Sequence, residues 1–309
     1  MAPRVTVYEV GPRDGLQNEA RTLSTDDKLA LLQALVDAGL RRIEATSFVS
    51  PRWIPQLADA AEVTARLPRA PGLSYVVLVP NAKGLERLLE VLDRTGPDRP
   101  PVEAAVFLSA SETHNRKNVN KTVEETFRAF DEVVPPATAR GLAVRGYVST
   151  AWGCPYEGRV DPLRVVAVAE RLVALGCSQV SLGDTIGVGT PNQTRQLLEL
   201  LLRSVAPERL ALHMHDTRGT ALANVLVGLE EGLTTFDASI GGLGGCPYAP
   251  GAAGNLATED LVYMLHGMGH ETGVDWPLLV AAGELAQRLV GRKLPGKALQ
   301  AELGARAEA

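Results

Sequence analysis

Eight short runs rich in β-branched and aliphatic residues alternate with helical segments along most of this chain. The runs are Val5–Val10, Ile43–Ser47, Leu73–Val79, Val102–Ser109, Leu142–Ser149, Gln179–Gly183, Leu210–His215 and Thr235–Ile240. Helix signals lie between them, such as the capping pattern at Ser24–Asp27 and the Asp161–Pro162 helix start. The repeat averages about 33 residues, which is typical of a (β/α)8 barrel. The sequence therefore predicts an α/β fold, a TIM barrel with additional C-terminal helices.

No linker-like stretch interrupts this alternation, so we expect one catalytic domain over residues 1–309. The barrel would occupy about residues 5–270. C-terminal helices would follow over about residues 271–303. A doubly wound open sheet is the structural competitor, because it also alternates strands and helices.

Charge and hydropathy exclude several classes of protein. Lys and Arg number 31 against 36 Asp and Glu, a net charge of −5, which argues against a nucleic-acid partner. No apolar run approaches the ~20 residues of a membrane span, so we expect no membrane partner. The first run begins at Val5 and leaves no room for a signal peptide, and three cysteines are too few for a disulfide framework. We therefore expect a cytoplasmic protein.

Reactive side chains follow the strand-like runs, where a barrel places its active site. His213 and His215 are two residues apart in a strand, so both imidazoles point to the same face. With Asp14, after the first run, they make three candidate metal ligands. Asn255 is a fourth candidate, although alone it would be interpreted as a turn residue. The mixed nitrogen and oxygen set suits a divalent cation, Mg²⁺ or Mn²⁺, with zinc as the alternative.

Arg13 precedes Asp14, which would place a guanidinium beside the metal, where it can stabilise a developing oxyanion or enolate. The alternative interpretation is a structural ion pair with a buried carboxylate such as Glu44, and both interpretations can hold. Glu44 lies within a strand-like run, and a buried carboxylate needs partners.

Cys246 lies in a segment with five glycines between residues 241 and 251. Such a segment can bend and close over a site, which favours an acid, base or nucleophile role for this thiol. We interpret Cys177 as a packing residue and leave Cys154 open. The segment 109–118 mixes hydroxyls with cations and could hold phosphates, or it could be an ordinary solvated loop. Its candidates for substrate binding are Ser109, Asn115 and Lys117.

Several of these motifs together resemble the 3-hydroxy-3-methylglutaryl-CoA (HMG-CoA) lyase family. The similar segments are Gly11–Glu19, Ile43–Pro51, Ser181–Gly187, Gly242–Tyr248 and Gly254–Asp260. The likeness extends from Val7 to about Arg288, and the glycine-rich cysteine segment is its most specific part. Arg218 and Thr220 depart from the family pattern after the second histidine.

The resemblance implies a metal-dependent TIM-barrel lyase that cleaves (S)-HMG-CoA to acetyl-CoA and acetoacetate. It implies Asp14, His213, His215 and Asn255 as ligands of a divalent cation, Arg13 as an essential arginine and Cys246 as the cysteine of a mobile loop. It also matches Glu44, Asp184 and Gln17 to active-site positions, and Thr185 adjoins Asp184 as a further candidate for substrate binding. In this chemistry Asp184 or His213 would accept the hydroxyl proton; a metal-bound histidine is a poor base, which favours Asp184 or a relay. Arg13 would hold the enolate oxygen, and Cys246 would protonate the enolate carbon.

Two other functions remain alternatives. One is cleavage of a longer 3-hydroxy-3-alkylglutaryl-CoA, since pocket lining rather than catalytic groups would decide chain length. The other is a Claisen synthase joining acetyl-CoA to a 2-oxo acid, which generally lacks the Gly-Gly-Cys-Pro segment. We expect an acyl-CoA substrate and a homo-oligomer, a dimer or tetramer, for which the apolar segments Leu261–Leu265 and Leu278–Leu289 could supply an interface or merely cover the barrel.

Overall fold

Parallel pairing of consecutive strands organises the fold. The computed structural model describes residues 4–245 and 254–308, and within them eight parallel strands close into a barrel. The barrel strands are β1 (Thr6–Glu9), β2 (Arg42–Ser47), β3 (Ser74–Leu78), β4 (Val102–Ser109), β5 (Val144–Ser149), β6 (Gln179–Asp184), β7 (Leu210–Met214) and β8 (Thr235–Ala238). Each strand pairs with its neighbours in sequence, and β1 pairs with both β2 and β8. The predicted (β/α)8 TIM barrel is confirmed.

Helices surround this barrel. In the described ranges they are α1 (Thr25–Asp37), α2 (Ala60–Ala65), α3 (Ala82–Thr95), α4 (Glu112–Val119), α5 (Val123–Asp131), α6 (Val134–Ala139), α7 (Pro162–Leu175), α8 (Pro191–Leu201), α9 (Ala221–Glu230), α10 (Thr258–Gly267), α11 (Trp276–Val290) and α12 (Lys297–Glu308). The predicted starts at Ser24 and Asp161 are correct, because each side chain accepts a backbone N–H of its own first turn. None of these helices combines the length and the apolarity that crossing a membrane requires.

Two apolar regions stabilise the barrel. The larger one fills the space between the outer strand faces and the helices, as in Leu31, Leu88 and Val165. A small cluster around Tyr8, Val76 and Ala105 fills part of the barrel interior. The remaining interior is polar, and this polar part carries the candidate site.

The end of β8 differs from the sequence prediction. The run predicted to reach Ile240 ends at Ala238, because Gly241 turns the chain with a φ of +62°. A Cβ at Gly241 would lie 2.3 Å from Leu294 Cδ1, in the segment between α11 and α12. The chain returns at Asn255, which forms an antiparallel bridge with His215, and at Ala257, which bridges to Ser239.

Candidate active site

A tight π-helical turn, Gly11–Gly15, carries the first site residues directly after β1. The Glu9 carboxylate fixes the turn, because its Oε1 accepts the backbone N–H of Gly11 at 2.7 Å. A Cβ at Gly11 would lie 2.6 Å from that oxygen, so the turn requires glycine there. The turn thereby directs Arg13 and Asp14 to the carboxyl ends of the strands.

Asp14, His213 and His215 meet at this end of the barrel. Each offers one ligand atom, and the three atoms lie within 4.8 Å of one another. Both imidazoles are buried, with ring centroids 5.4 Å apart. His213 lies in β7 and His215 directly follows its last residue, so the predicted strand run to His215 ends one residue early, and the extended chain still turns both side chains to one side. The spacing, the burial and the mixed donors fit a divalent cation.

Asn255 adjoins this cluster and completes its oxygen donors. Its Nδ2 donates to Asp14 Oδ2 at 2.9 Å and to the carbonyl oxygen of Leu243 at 3.1 Å. Its Oδ1 is buried and has no hydrogen-bond partner among the described residues. A buried amide oxygen without a partner is costly unless something binds it. The donor set of Asp14, His213, His215 and Asn255 therefore fits the cation that the sequence predicts.

Arg13 joins two carboxylates. Its Nη1 donates to Asp14 Oδ1 at 2.5 Å and its Nη2 donates to Glu44 Oε2 at 2.7 Å. Glu44, from β2, is fully buried behind Arg13, and the Tyr147 hydroxyl donates to the same Oε2 at 3.2 Å. Gln17 Nε2 donates to Asp14 Oδ1 at 2.9 Å. The ion pair with Glu44 exists, and it holds the guanidinium beside the cluster of Asp14, His213 and His215.

Further contacts close a ring of polar side chains inside the barrel. Arg145 Nη1 donates to the Tyr147 hydroxyl at 3.1 Å, and its Nη2 donates to Asp237 Oδ1 at 2.6 Å. Asp237 Oδ2 lies 3.2 Å from His213 Nδ1, and His213 Nε2 lies 3.9 Å from Asp14 Oδ2. We call this set the polar ring; its members are Asp14, Arg13, Glu44, Tyr147, Arg145, Asp237 and His213.

The charges of the polar ring favour a cation. Three carboxylates and two guanidinium groups sum to −1 when the imidazole is neutral. Burial alone would raise the pKa of Asp14, but Arg13, His213 and His215 lower it to about 2, so Asp14 is ionised. Burial opposes a charge on His213, yet the contact with Asp237 and the charge of Asp14 raise its pKa. Burial and the neighbouring His213 lower the pKa of His215 to about 4.

A cavity of about 410 Å³ opens onto the cluster. The predicted site residues that line it are Arg13, Asp14, Gln17, Lys117, Thr185, His213 and His215. Ser47, Phe107 and Tyr147 supply further walls, and Trp53, 71% exposed, stands at the rim. The cavity thus combines an ionic floor with an apolar rim, which suits an anionic head group on a larger molecule.

Three predicted site residues neither line the cavity nor hydrogen-bond to the residues of the cluster. The Asp184 carboxylate does not line the cavity and accepts the backbone N–H groups of Val188 at 3.0 Å and Gly189 at 2.8 Å. Asn115 is buried, and its amide binds the backbone of Ser109 and Lys121. Ser109 is also buried, with its hydroxyl 2.5 Å from His114 Nδ1. These positions indicate that Asp184, Asn115 and Ser109 hold the loops that follow their strands.

Of the three cysteines, Cys154 and Cys177 lie within the described residues, and both are buried. Cys246 lies outside the described residues, although Gly245, which precedes it, lines the cavity. The Cys154 sulfur is buried and accepts the Ser111 hydroxyl at 3.0 Å and the backbone N–H of Tyr156 at 3.3 Å. Cys177 is buried, and burial raises its pKa to about 12, in line with a packing role.

Sequence reasoning missed Tyr147, Arg145 and Asp237. Arg145 and Tyr147 occupy alternate positions of β5, so both point into the barrel, and Asp237 does so from β8. A charge within an otherwise apolar strand was the available signal. It is weak, because barrel strands are buried on both faces and alternation does not reveal which face is interior.

A second cavity, of about 650 Å³, lies at the base of the glycine-rich segment. Gly244 and Gly254 line it together with Arg292, Lys293 and Lys297. Arg292 pairs with Glu19, and Lys297 pairs with Asp216. Lys293 has no ion-pair partner within residues 4–245 and 254–308. This cationic surface had no counterpart in the sequence prediction.

Known proteins share this whole architecture. The family model described as HMGL-like matches residues 4–286. The chain is 50% identical to the mitochondrial hydroxymethylglutaryl-CoA lyase of Rattus norvegicus, over 96% of this chain and 89% of that protein. It is 48% identical to the cytoplasmic 3-hydroxy-3-methylglutaryl-CoA lyase of Mus musculus, over 98% of this chain and 86% of that protein.

Solved structures agree with this likeness. The crystal structure of hydroxymethylglutaryl-CoA lyase from Pseudomonas aeruginosa superposes with a TM-score of 0.93 at 47% identity, covering 98% of this chain and 99% of that one. An HMG-CoA lyase from Acinetobacter baumannii, solved with coenzyme A and 3-methylmalate, gives a TM-score of 0.89 at 40% identity, covering 96% and 95%. With the matching barrel, the chain therefore belongs to the HMGL-like family of HMG-CoA lyases.

Proposed function

We propose that this protein is a divalent-metal-dependent carbon–carbon lyase that cleaves (S)-3-hydroxy-3-methylglutaryl-CoA to acetyl-CoA and acetoacetate. The observation that carries the proposal is the cluster of Asp14, His213 and His215 beside Arg13, at the floor of a cavity in a family member. We propose Asp14, His213, His215 and Asn255 as ligands of Mg²⁺ or Mn²⁺. A cation held by these residues would supply a Lewis acid, which would make the substrate hydroxyl more acidic.

The reaction is a retro-Claisen cleavage without net oxidation or reduction. The C3 hydroxyl loses its proton, the C2–C3 bond breaks, and C3 becomes the ketone carbon of acetoacetate. The electron pair of the broken bond forms the enolate of the acetyl thioester, and protonation of C2 gives acetyl-CoA. The enzyme must therefore remove one proton, stabilise one enolate and return one proton.

Arg13 is placed to stabilise the enolate. Its guanidinium lines the cavity and is fixed by two carboxylates, so it can donate to the thioester oxygen without reorganising. Burial opposes the charge of Arg13, but Glu44 and Asp14 raise its pKa, so it stays cationic. Glu44 acts through Arg13 and does not itself face the cavity.

Proton transfer uses groups at the cavity. Of the two predicted acceptors of the hydroxyl proton, His213 lines the cavity but is a proposed metal ligand and therefore a poor base, whereas Asp184 does not line the cavity and accepts backbone N–H groups. We therefore propose that the proton leaves through a relay rather than directly to either side chain. We assign the return of a proton to C2 to the Cys246 thiol, a proposal supported by the place of Gly245 in the cavity wall. The glycines that precede Cys246 in the sequence fit a proton donor that is needed only after bond cleavage.

The coenzyme A part of the substrate needs cations outside the ionic floor. Lys117 and Thr185 line the first cavity, and we propose that Trp53 contacts the apolar part of the thioester. Lys293 faces the second cavity without an ion-pair partner among the described residues, which makes it a candidate for a phosphate group. We expect Lys293→Glu to raise KM for HMG-CoA at least tenfold, with kcat little changed. The same reversal at exposed Lys83 on α3 serves as the control.

Assembly and location are also proposed. Tyr263 and Leu278, on α10 and α11, are 67% and 46% exposed, and Tyr263 contacts Trp276. We propose that this face belongs to a homo-oligomer interface of a cytoplasmic enzyme. Light scattering of the wild type and of Tyr263→Glu tests the interface: a smaller particle for the variant supports it, and an unchanged mass contradicts it.

The activity test uses metal-free protein and HMG-CoA, with and without added Mg²⁺ or Mn²⁺. We expect acetoacetate and acetyl-CoA in equal amounts only with metal, and at least 100-fold less from Asp14→Asn. Glu284→Gln, at a half-buried position of α11 outside the site, is the matched control and should behave as the wild type. No product with either metal would overturn the proposal. Thiol release from acetyl-CoA and a 2-oxo acid would instead indicate the synthase, and faster cleavage of a longer 3-alkyl analogue would indicate the longer substrate.

A further inference from the structure

Asp237 is a buried carboxylate that the cleavage reaction does not use directly. It lies on β8, is 2% exposed and does not line the cavity. Both of its oxygens are nevertheless engaged, and one of them faces an imidazole of the metal cluster. We propose that Asp237 is a positioning residue, which fixes the ring orientation and tautomer of His213 so that the Nε2 atom of His213 faces the cation. This inference rests on the proposed metal-dependent function and adds the group that prepares one ligand.

Asp237 is held in a single orientation by its own partners. Arg145 Nη2 donates to Oδ1 at 2.6 Å, and the Ser181 hydroxyl donates to Oδ2 at 2.9 Å. Oδ2 also lies 3.2 Å from His213 Nδ1. Because the partners come from β5, β6 and β7, the carboxylate cannot rotate without breaking contacts to three strands.

The contact with Asp237 determines what each nitrogen of His213 does. A carboxylate paired with a guanidinium only accepts hydrogen bonds, so His213 Nδ1 must carry the proton between them. The lone pair of the neutral ring then lies on Nε2, which is 3.9 Å from Asp14 Oδ2. A hydrogen bond at the far nitrogen of a metal-binding histidine fixes its tautomer and orientation.

His215 provides an internal contrast. Its Nδ1 is buried and has no hydrogen-bond partner among the described residues. The two imidazoles of the cluster therefore differ: a carboxylate fixes Nδ1 of His213, whereas the described residues supply no hydrogen bond to Nδ1 of His215. Loss of the Asp237 carboxylate should consequently lower the affinity of the site for the cation, although Asp237 does not line the cavity.

Arg145 supplies the competing explanation. Asp237 could serve only to neutralise this buried guanidinium, which also stacks 3.6 Å from the Tyr8 ring centre. A purely structural partner of Arg145 would affect stability but not the affinity for metal. The two roles are therefore separated by measuring Mn²⁺ binding and folding on the same variants.

The first experiment measures the dissociation constant of Mn²⁺ alone, by electron paramagnetic resonance, for the wild type, Asp237→Asn and Glu103→Gln. Glu103 is the matched control, because it pairs with Arg42 and Ser74 at the opposite end of the barrel. We expect Asp237→Asn to weaken Mn²⁺ binding about 10- to 100-fold and Glu103→Gln to leave it unchanged. A folded Asp237→Asn protein that binds Mn²⁺ like the wild type would overturn the inference.

The second experiment needs no variant at Asp237 and no metal. Nitrogen-15 NMR of histidine-labelled wild-type protein, at a pH above the imidazole titration, reports which nitrogen carries the proton, and His213→Asn assigns the signal. We expect the proton on Nδ1 of His213; a proton on Nε2 would overturn the inference even if Asp237→Asn does not fold. Neither measurement involves substrate, so failure of the lyase assay is a separate result.

Discussion

The free energy of unfolding is expected to fall as the pH rises from about 5 to about 8, and replacement of Glu259 by glutamine is expected to make this fall smaller. Glu259 lies in the first turn of α10 and is fully buried. Its Oε2 accepts the backbone N–H of Gly241 at 2.7 Å, while its Oε1 has no partner among the described residues. Burial, together with the nearby charges of Glu9 and Asp260, raises its pKa from 4.5 to about 8.

The raised pKa fixes the direction of the effect. The folded protein favours the neutral acid, so its stabilising contribution is complete below about pH 4.5 and is lost as the pH rises through about 8. A pKa that differs by one between the folded and unfolded states corresponds to about 1.4 kcal/mol of stability. Over the interval from about pH 5 to about pH 8, linkage then gives a loss on the order of 3 kcal/mol from this one group.

Urea unfolding with a chelator present, at the two ends of that interval, measures this loss. The amide of Glu259→Gln mimics the neutral acid and does not titrate, so the variant should lose on the order of 3 kcal/mol less than the wild type. Glu9, whose pKa burial raises to about 7, leaves a residual slope in both proteins. The control Glu284→Gln, which removes a carboxylate paired with Arg288 on α11, should keep the wild-type slope. Equal slopes for the wild type and Glu259→Gln would refute the reasoning.

Three further predictions concern Arg13, Gly241 and the removal of metal. Arg13→Lys should lower kcat about 100- to 1,000-fold with unchanged circular dichroism, because one ammonium cannot bridge both carboxylates and still face the cavity; a kcat within threefold of wild type would contradict this. Gly241→Ala should lower the free energy of unfolding by about 1–3 kcal/mol, because φ is +62° and the new Cβ would clash with Leu294. Thermal unfolding measures this loss. The control Gly304→Ala, whose new Cβ has no atom within 4 Å, should leave stability unchanged. Chelation of metal should abolish acetoacetate production and leave the far-ultraviolet spectrum intact, with activity restored by Mg²⁺ or Mn²⁺ but not by Ca²⁺; activity that survives chelation would argue against a metal role.

The alternation of strand and helix signals was sufficient to predict the barrel, because each run needed only its own apolar pattern. The cluster of Asp14, His213 and His215 was also within reach, since the strand period places His213 and His215 on one side and the barrel brings strand ends together. Ser109 and Asn115 show the limit of that reasoning. A polar side chain after a strand can face the cavity or hold its own loop, and sequence position does not distinguish the two.

The contacts of Asp237 and Arg145 could not be predicted from the sequence, for a different reason. Asp237 and Arg145 are 92 residues apart and meet only because β5 and β8 face each other across the barrel. Pairings across a barrel depend on which of two buried faces points inward, and a single sequence does not reveal this. The end of β8 was displaced for a local reason, the left-handed conformation of Gly241.

The members of the polar ring come from four strands and from the turn after β1. Arg13 and Asp14 follow β1, and Asp237 lies in β8. The elements that carry the polar ring are far apart in the sequence and meet only in the closed barrel. A partly formed barrel in which β1 and β8 are separated therefore has no complete cation site. Binding of a cation at the proposed site would thus be linked to closure of the barrel, and a bound ion would stabilise the closed barrel over every open form. During refolding, the appearance of tight metal binding would time the closure of the barrel as directly as any probe of its backbone.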